Sequence, residues 1–376
     1  MNTASAARVR LDSLTGLRFY AALIVVLFHA SKYLEPAAPA AAVFGLGYTG
    51  VSFFFILSGF VLAWSYKPGL PRKQFYWRRF ARIWPLHALT TVLAAVAAVF
   101  VTGAALNWSA LPAVLTLTQS WFPAGDIRYG FNGVSWSLSC EMFFYLLFPL
   151  IYPRLRVVRP GHAIVWIAVT MVAVAASCVL IFPTSQLGYL LYTLPAFRLG
   201  EFMMGICLAV LVKSGWTPKF ASQHAFATTA VMYALIMAAT NIVLHDPERM
   251  PYVVADLWML PGFVAIIAAM ACRDMRASGG HLANPYVVQL GLWSFALYLV
   301  HEILILAVAP LINALPPAAG IALGLGTVVV AVAASGALYE GFERPIEDRI
   351  RTWVGRGSSG PARGRRALVD SSGPLV

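Results

Sequence analysis

The sequence predicts an all-α polytopic membrane protein of about ten transmembrane helices, and three observations carry that prediction. Hydrophobic residues fill 60% of the 376 positions and charged residues 11%, whereas a soluble domain is about 25% charged. Mean hydropathy is +0.75. Apolar runs of roughly 20 residues, the length that crosses about 30 Å of hydrocarbon, recur ten times. No water is present in the bilayer core to satisfy backbone groups, so runs of this length fold as helices. The net charge of +12 is then read from where the cations sit, and no nucleic-acid partner is expected.

The runs fall at about 14–33, 44–66, 83–103, 135–152, 162–182, 189–213, 223–244, 252–272, 288–311 and 318–340. Placing the N-terminus in the cytoplasm puts 22 of the 27 lysines and arginines on the inner side and leaves Lys32, Arg128 and Arg249 outside; Arg18 and Arg198 lie within spans. Both termini are therefore expected in the cytoplasm, with the protein in the inner (plasma) membrane. The first run reads as a retained span, since it is too long for a cleaved signal and contains Arg18. Residues 1–350 form one membrane domain, and 351–376, rich in Gly, Ser, Pro and Arg, read as a disordered basic cytoplasmic tail. Cys140, Cys178, Cys207 and Cys272 sit in apolar segments without metal-like spacing, so neither a disulfide framework nor a metal site is expected.

The run at 14–33, LTGLRFYAALIVVLFHASKY, carries Arg18 and His29. An ionisable side chain inside a spanning helix costs roughly 2.5–3.5 kcal/mol on insertion scales and marks a functional site by default. At roughly 100° per residue, the eleven-residue offset closes three turns with about 20° left over. The two side chains thus share a face, about 16 Å apart along the axis. The helix presents a cation near one membrane face and a titratable imidazole toward the other.

Between the second and third runs, KPGLPRKQFYWRRFARIWP interleaves Lys67, Arg72, Lys73, Arg78, Arg79 and Arg82 with Phe75, Tyr76, Trp77 and Trp84. Alone, this reads first as a positive-inside anchor with an aromatic belt. The sharper reading is a docking surface for a phosphorylated cytoplasmic molecule, because guanidinium forks match phosphate oxygens. Pro85 is placed at the start of the third helix, and His87 at the interface. The outer segment at 104–134 contains Trp108, Trp121, Phe122, Tyr129 and Phe131. A connection of that length serves as a lid or a binding platform, and its aromatics suit a sugar face or a membrane-surface belt.

The fourth run places Glu141 about six residues from its outer end, and His29 lies about four from its own, so both sit some 6–9 Å below the outer edge. Two such groups at matched depth are a base and an orienting carboxylate, or a structural ion pair. Arg198 and Glu201, three residues apart in the sixth run, read as a structural pair, and Asp256 as interfacial. His301 and Glu302 are neighbours in the ninth run, so at least one points into the bundle; His301 is the candidate.

Five segments then coincide with a known family. LDSLTGLRFYAALIVVLFHA, GVSFFFILSGFVL, RRFARIWPLH, SWSLSCEMFFYLLFPL and SFALYLVH occur in order, and over about residues 10 to 345 the chain resembles the acyltransferase-3 family of integral membrane O-acyltransferases. The resemblance implies ten membrane helices and transfer of an acyl group, most often acetyl, from acyl-CoA to a hydroxyl. Its Arg-x10-His pair falls on Arg18 and His29, its serine-leucine-glutamate motif on Glu141, and its basic motif on Arg79 and Arg82. A second glutamate often follows the motif's first; Met142 stands there, against a two-carboxylate mechanism. Many relatives carry a C-terminal extracellular hydrolase-like domain, and none is expected here.

On this reading acyl-CoA, acetyl-CoA above all, is the donor and docks on Arg18, Arg78, Arg79 and Arg82. His29 deprotonates the acceptor hydroxyl or takes the acyl group transiently, with Glu141 fixing the imidazole. Trp136, Ser137 and His301 contact the acceptor. The acceptor is a cell-surface glycan such as a lipopolysaccharide or exopolysaccharide unit. A small secondary metabolite such as a macrolide is the alternative within the class, and a proton-coupled transporter or flippase is the alternative outside it.

Overall fold

The computed structural model describes residues 10–67, 69–244, 251–277 and 280–356. All regular structure among them is helical, and ten helices are long and apolar enough to cross a membrane. They are α1 Asp12–Tyr33, α2 Gly47–Ser65, α3 Arg72–Thr102, α4 Gly133–Leu155, α5 Pro160–Ile181, α6 Thr184–Lys213, α7 Ser222–Ile242, α8 Tyr252–Met275 and α9 Pro285–Asn313. The tenth, α10 Pro317–Leu338, passes through one π-helical turn at Tyr339–Glu343 into α11, Arg344–Arg356. The ten-helix membrane fold expected from the sequence is the fold observed.

The basic ends of the helices meet. The Ser13 amide donates to Asp274 at the end of α8, and Arg82 in α3 pairs with Glu343 and Glu347. Apolar lipid tails give helices no hydrophobic drive to associate, so small residues that let backbones approach closely do that work. α2 is buried along most of its length and crosses α6 at Gly59 and Gly205. A Cβ on Gly205 would lie 1.9 Å from the Ile56 carbonyl oxygen, and one on Gly59 would lie 2.0 Å from that of Phe202. Gly205→Val is expected to force α2 from α6 at an overpacking cost of about 1–3 kcal/mol, read as a lowered melting temperature in detergent. α1 and α9 run parallel and touch where Gly291 faces the Thr15 carbonyl.

Several local readings differ. α3 starts at Arg72 and holds Pro85 in its interior, because neighbouring groups in a bundle re-satisfy the carbonyl that a proline frees. The arginines at 78, 79 and 82 therefore ride on a helix and not on a loop. His87 is fully buried, donating from Nε2 to the Val114 carbonyl at 2.8 Å, and is not interfacial. Asp256 is likewise buried and not interfacial. It takes the Arg198 guanidinium at 2.7 Å, with Glu201 at 3.2 Å and the Ser52 hydroxyl at 3.0 Å from the same arginine. Phe55 and Tyr192 cover that guanidinium. Removing one member of a buried pair costs about 3–5 kcal/mol, so Asp256→Ala is expected to reduce folded yield and melting temperature sharply. The tail expected from 351 begins as helix, since α11 reaches Arg356; 357–376 lie outside the described residues.

The segment between α3 and α4 folds back into the bundle. Gln119, Ser120 and Asn132 are buried. Gln119 donates to the Ser135 carbonyl at 3.0 Å, Ser120 to that of Trp136 at 2.6 Å, and Asn132 to that of Leu299 at 2.8 Å. These bonds take up carbonyls at the α4 start and anchor the segment to α9.

Candidate active site

Two chambers lie end to end between α1, α2, α4 and α9. The one nearer the basic end, about 170 Å³, is lined by Arg18, Arg79, Arg82, Ser58, Glu141 and Tyr145 among others. The second, about 490 Å³, holds His29, Tyr33, Trp136, Glu302 and the aromatic groups of Tyr129 and Phe131. Val51 and Tyr298 line both. Arg18 and His29, three turns apart on one helix, thus open into different chambers.

Three guanidinium groups face the smaller chamber. Arg82 is engaged by Glu343 and Glu347, the latter at 3.4 Å. Arg79 lies 5.6 Å from the Tyr145 ring centre, and its buried Nε has no hydrogen-bond partner among the described residues. Arg18 has no ion pair among them. Glu141, the carboxylate of this chamber, accepts from the Ser58 hydroxyl at 2.8 Å and from Tyr145. The chamber carries more positive than negative groups, which suits an anionic ligand. Arg78 lines neither chamber.

The second chamber is built around one imidazole. His29 Nδ1 is 2.9 Å from the Val25 carbonyl and 3.1 Å from His301 Nε2, while His301 Nδ1 is 3.0 Å from the Leu297 carbonyl. A carbonyl only accepts, so both Nδ1 atoms carry the proton and His301 Nε2 is the acceptor. That leaves His29 Nε2 with a free lone pair toward the cavity. The nearest carboxylate to it is Glu302, at 3.9 Å. Glu302 is held on both oxygens: the Tyr33 hydroxyl donates to Oε1 at 3.0 Å, and the Val134 amide to Oε2 at 3.0 Å. Gly133 allows this approach, since a Cβ there would meet Oε2 at 2.8 Å.

The carboxylate at His29 is therefore Glu302, which corrects the expected His29–Glu141 pair. Equal counts from the outer helix ends do not bring the two side chains together, because Glu141 lines the chamber of Arg18 and His29 lines the other. α4 begins beside Glu302, inside the bundle, so Glu141 lies further toward Arg18. His301 stands behind His29 as a hydrogen-bond acceptor and does not line the acceptor-sized cavity. Of the other expected acceptor contacts, Trp136 lines the second chamber, while Ser137 lines the first and bonds the Tyr298 hydroxyl at 2.9 Å.

A lone-pair imidazole beside an anchored carboxylate, above a cationic chamber, is equipped to take a proton from a hydroxyl next to an anionic co-substrate. A family model described as an acyltransferase domain matches residues 11–336. The chain belongs to the acyltransferase-3 family. It is 36% identical over 368 residues to the acyltransferase MdmB of Streptomyces mycarofaciens, covering 90% of this chain and 92% of that protein. It is 21% identical over 312 residues to a putative O-acetyltransferase of Staphylococcus aureus (strain COL), covering 77% of this chain and 50% of that one. The peptidoglycan O-acetyltransferase OatA of Listeria monocytogenes is 28% identical over 158 residues, 38% of this chain and 24% of OatA. No solved structure matches the chain. This acyltransferase-3 protein is thus a membrane acyltransferase. Among its described residues no cluster of His, Cys, Asp or Glu could hold a metal ion.

Proposed function

We propose that the protein is an acyl-CoA-dependent O-acyltransferase of the inner membrane, with both termini cytoplasmic, and that His29 is its general base, oriented by His301 and electrostatically supported by Glu302. The observation that carries this reading is the free Nε2 lone pair of His29, 3.9 Å from a doubly anchored carboxylate. The donor enters at the basic end. Its nucleotide phosphates stay outside near Arg78 and the start of α3, its arm passes Arg18 and Arg79, and its thioester reaches the second chamber past Val51 and Tyr298. The chamber near Arg18, about 170 Å³, suits the narrow arm and not the nucleotide.

In the chemical step His29 Nε2 takes the acceptor's hydroxyl proton as its oxygen attacks the thioester carbonyl. The carbon–sulfur bond breaks, and the imidazolium returns the proton to the departing CoA thiolate. General-base catalysis of this kind contributes about 10²–10⁴-fold. The acceptor is a sugar hydroxyl of a cell-surface glycan, with Trp136, Tyr129 and Phe131 around the ring; the Listeria relative, named for peptidoglycan, supports that class.

Purified protein in detergent, given radiolabelled acetyl-CoA with cell-envelope glycan fragments, is expected to release free CoA thiol and label the glycan. His29→Ala is expected to lower transfer at least about 10²-fold at unchanged melting temperature. Label appearing on macrolides but not on glycans would move the acceptor to small metabolites. Absence of thiol release, with proton-driven movement of a lipid-linked cargo, would replace the enzyme by a carrier.

A further inference from the structure

A lateral groove of about 770 Å³ opens between α1, α2, α7 and α8, apart from both chambers. Leu17, Ile24, Phe53, Phe226, Met259 and Phe263 make its walls apolar. Arg273 and His281 sit at its basic end. There the Tyr20 hydroxyl lies 2.6 Å from His281 Nε2, and the Arg273 guanidinium covers Gly280, where a Cβ would meet Nη2 at 2.5 Å. Gly280 has a φ of 121°, a conformation that favours glycine, and its lack of a side chain leaves room for the Arg273 guanidinium. Arg273 has no carboxylate partner among the described residues. The adjacent Asp274 is turned to α1, accepting the Ser13 amide on both oxygens at 3.0 and 3.2 Å. At the far end the Tyr233 hydroxyl donates to the Val43 carbonyl at 2.8 Å and closes the groove. From Ser13 to Ile24 α1 rises about 16 Å, close to half of the ~30 Å hydrocarbon thickness.

We propose that this groove binds one anionic glycerophospholipid, its acyl chain lying along α1 and α8 and its phosphate seated between Arg273 and His281. The depth is that of one leaflet, the walls are apolar, and the cation at the interfacial end lacks a counter-charge. A zwitterionic headgroup brings its own cation to that guanidinium, and free phosphate has no use for the walls. Basic pockets between membrane helices recognise anionic headgroups in this way. The lipid braces α1, the helix that carries Arg18 and His29, across the gap that α7 leaves open.

The full chain, purified in a neutral detergent and offered equal phosphatidylglycerol and phosphatidylcholine, is read by native mass spectrometry. Wild-type protein is expected to retain phosphatidylglycerol about tenfold over phosphatidylcholine, the scale of one charge-assisted hydrogen bond. Arg273→Gln is expected to bring that ratio near unity, and Arg273→Lys to keep most of it. Ala230→Phe, at an exposed groove-lining position of α7, is expected to lower retention of both lipids. Equal retention of the two lipids by wild type, a preference that survives Arg273→Gln or is lost in Arg273→Lys, unchanged retention in Ala230→Phe, or displacement by equimolar inorganic phosphate would each overturn the site.

Discussion

Replacing Glu302 with glutamine is expected to lower acyl transfer by about 10²- to 10⁴-fold while the protein stays folded. The size follows from charge. When His29 Nε2 has taken the hydroxyl proton, the imidazolium stands 3.9 Å from Glu302 Oε1. At an effective dielectric of about 20, two unit charges at that distance attract by about 4 kcal/mol. Glutamine removes the charge and keeps the shape. Its amide still accepts one hydrogen bond, so either the Tyr33 hydroxyl or the Val134 amide loses its acceptor, at a cost of about 1–3 kcal/mol. Loss of the buried ion pair at Asp256 costs more, about 3–5 kcal/mol. Glu141→Gln is the informative comparison. Its carboxylate faces Ser58, Tyr145 and the arginine chamber, so its loss is expected to act on donor binding more than on turnover. Single-turnover transfer at saturating donor and acceptor separates the two. A larger loss of turnover in Glu141→Gln than in Glu302→Gln would return the orienting role to Glu141.

Ten helices were legible because bilayer thickness fixes their length, whatever they pack against. The pairing of side chains across helices was not legible, because it depends on where each helix begins relative to its neighbours. α4 looked like any other span, yet its first turn is sunk beside α9, held there by Asn132 on the Leu299 carbonyl and Val134 on Glu302. A usable signal was present. α1 and α9 are both odd-numbered spans, so they run in the same direction and start at the same end. From Asp12 to His29 and from Pro285 to Glu302 is 17 residues in both helices. Counting from shared starts in parallel helices puts Glu302 level with His29, whereas counting from outer ends of antiparallel helices put Glu141 there. Asp256 and His87 are buried and not interfacial for a related reason. Polarity near a helix end suggests the interface, and the sequence does not show that Arg198 or the Val114 carbonyl waits inside to satisfy it.

The arginines of the smaller chamber are not interchangeable, and their substitutions are expected to fail in different ways. Arg18 has no ion pair among the described residues, so in the absence of donor its charge is answered only at longer range, by Glu141 and Glu343. Arg18→Gln removes that burden with the ligand contact. It is expected to leave melting temperature unchanged or raised, while a charge-assisted bond worth about 1.5–3 kcal/mol disappears from donor binding. That corresponds to a donor KM higher by about 10- to 100-fold, with acceptor KM and turnover at saturation changed little. Arg82 is the opposite case. Glu343 is buried and Glu347 nearly so, and both lean on its guanidinium. Arg82→Gln leaves the buried Glu343 at the α10–α11 junction without its cation, while Glu347 keeps Arg351, so the expected result is lost stability, on the scale of about 3–5 kcal/mol for a broken buried pair. Thermal melts and donor KM measured on both variants test the distinction. If Arg18→Gln melts early with an unaltered donor KM, Arg18 is a strut between helices, and the donor path must be sought elsewhere than along α1.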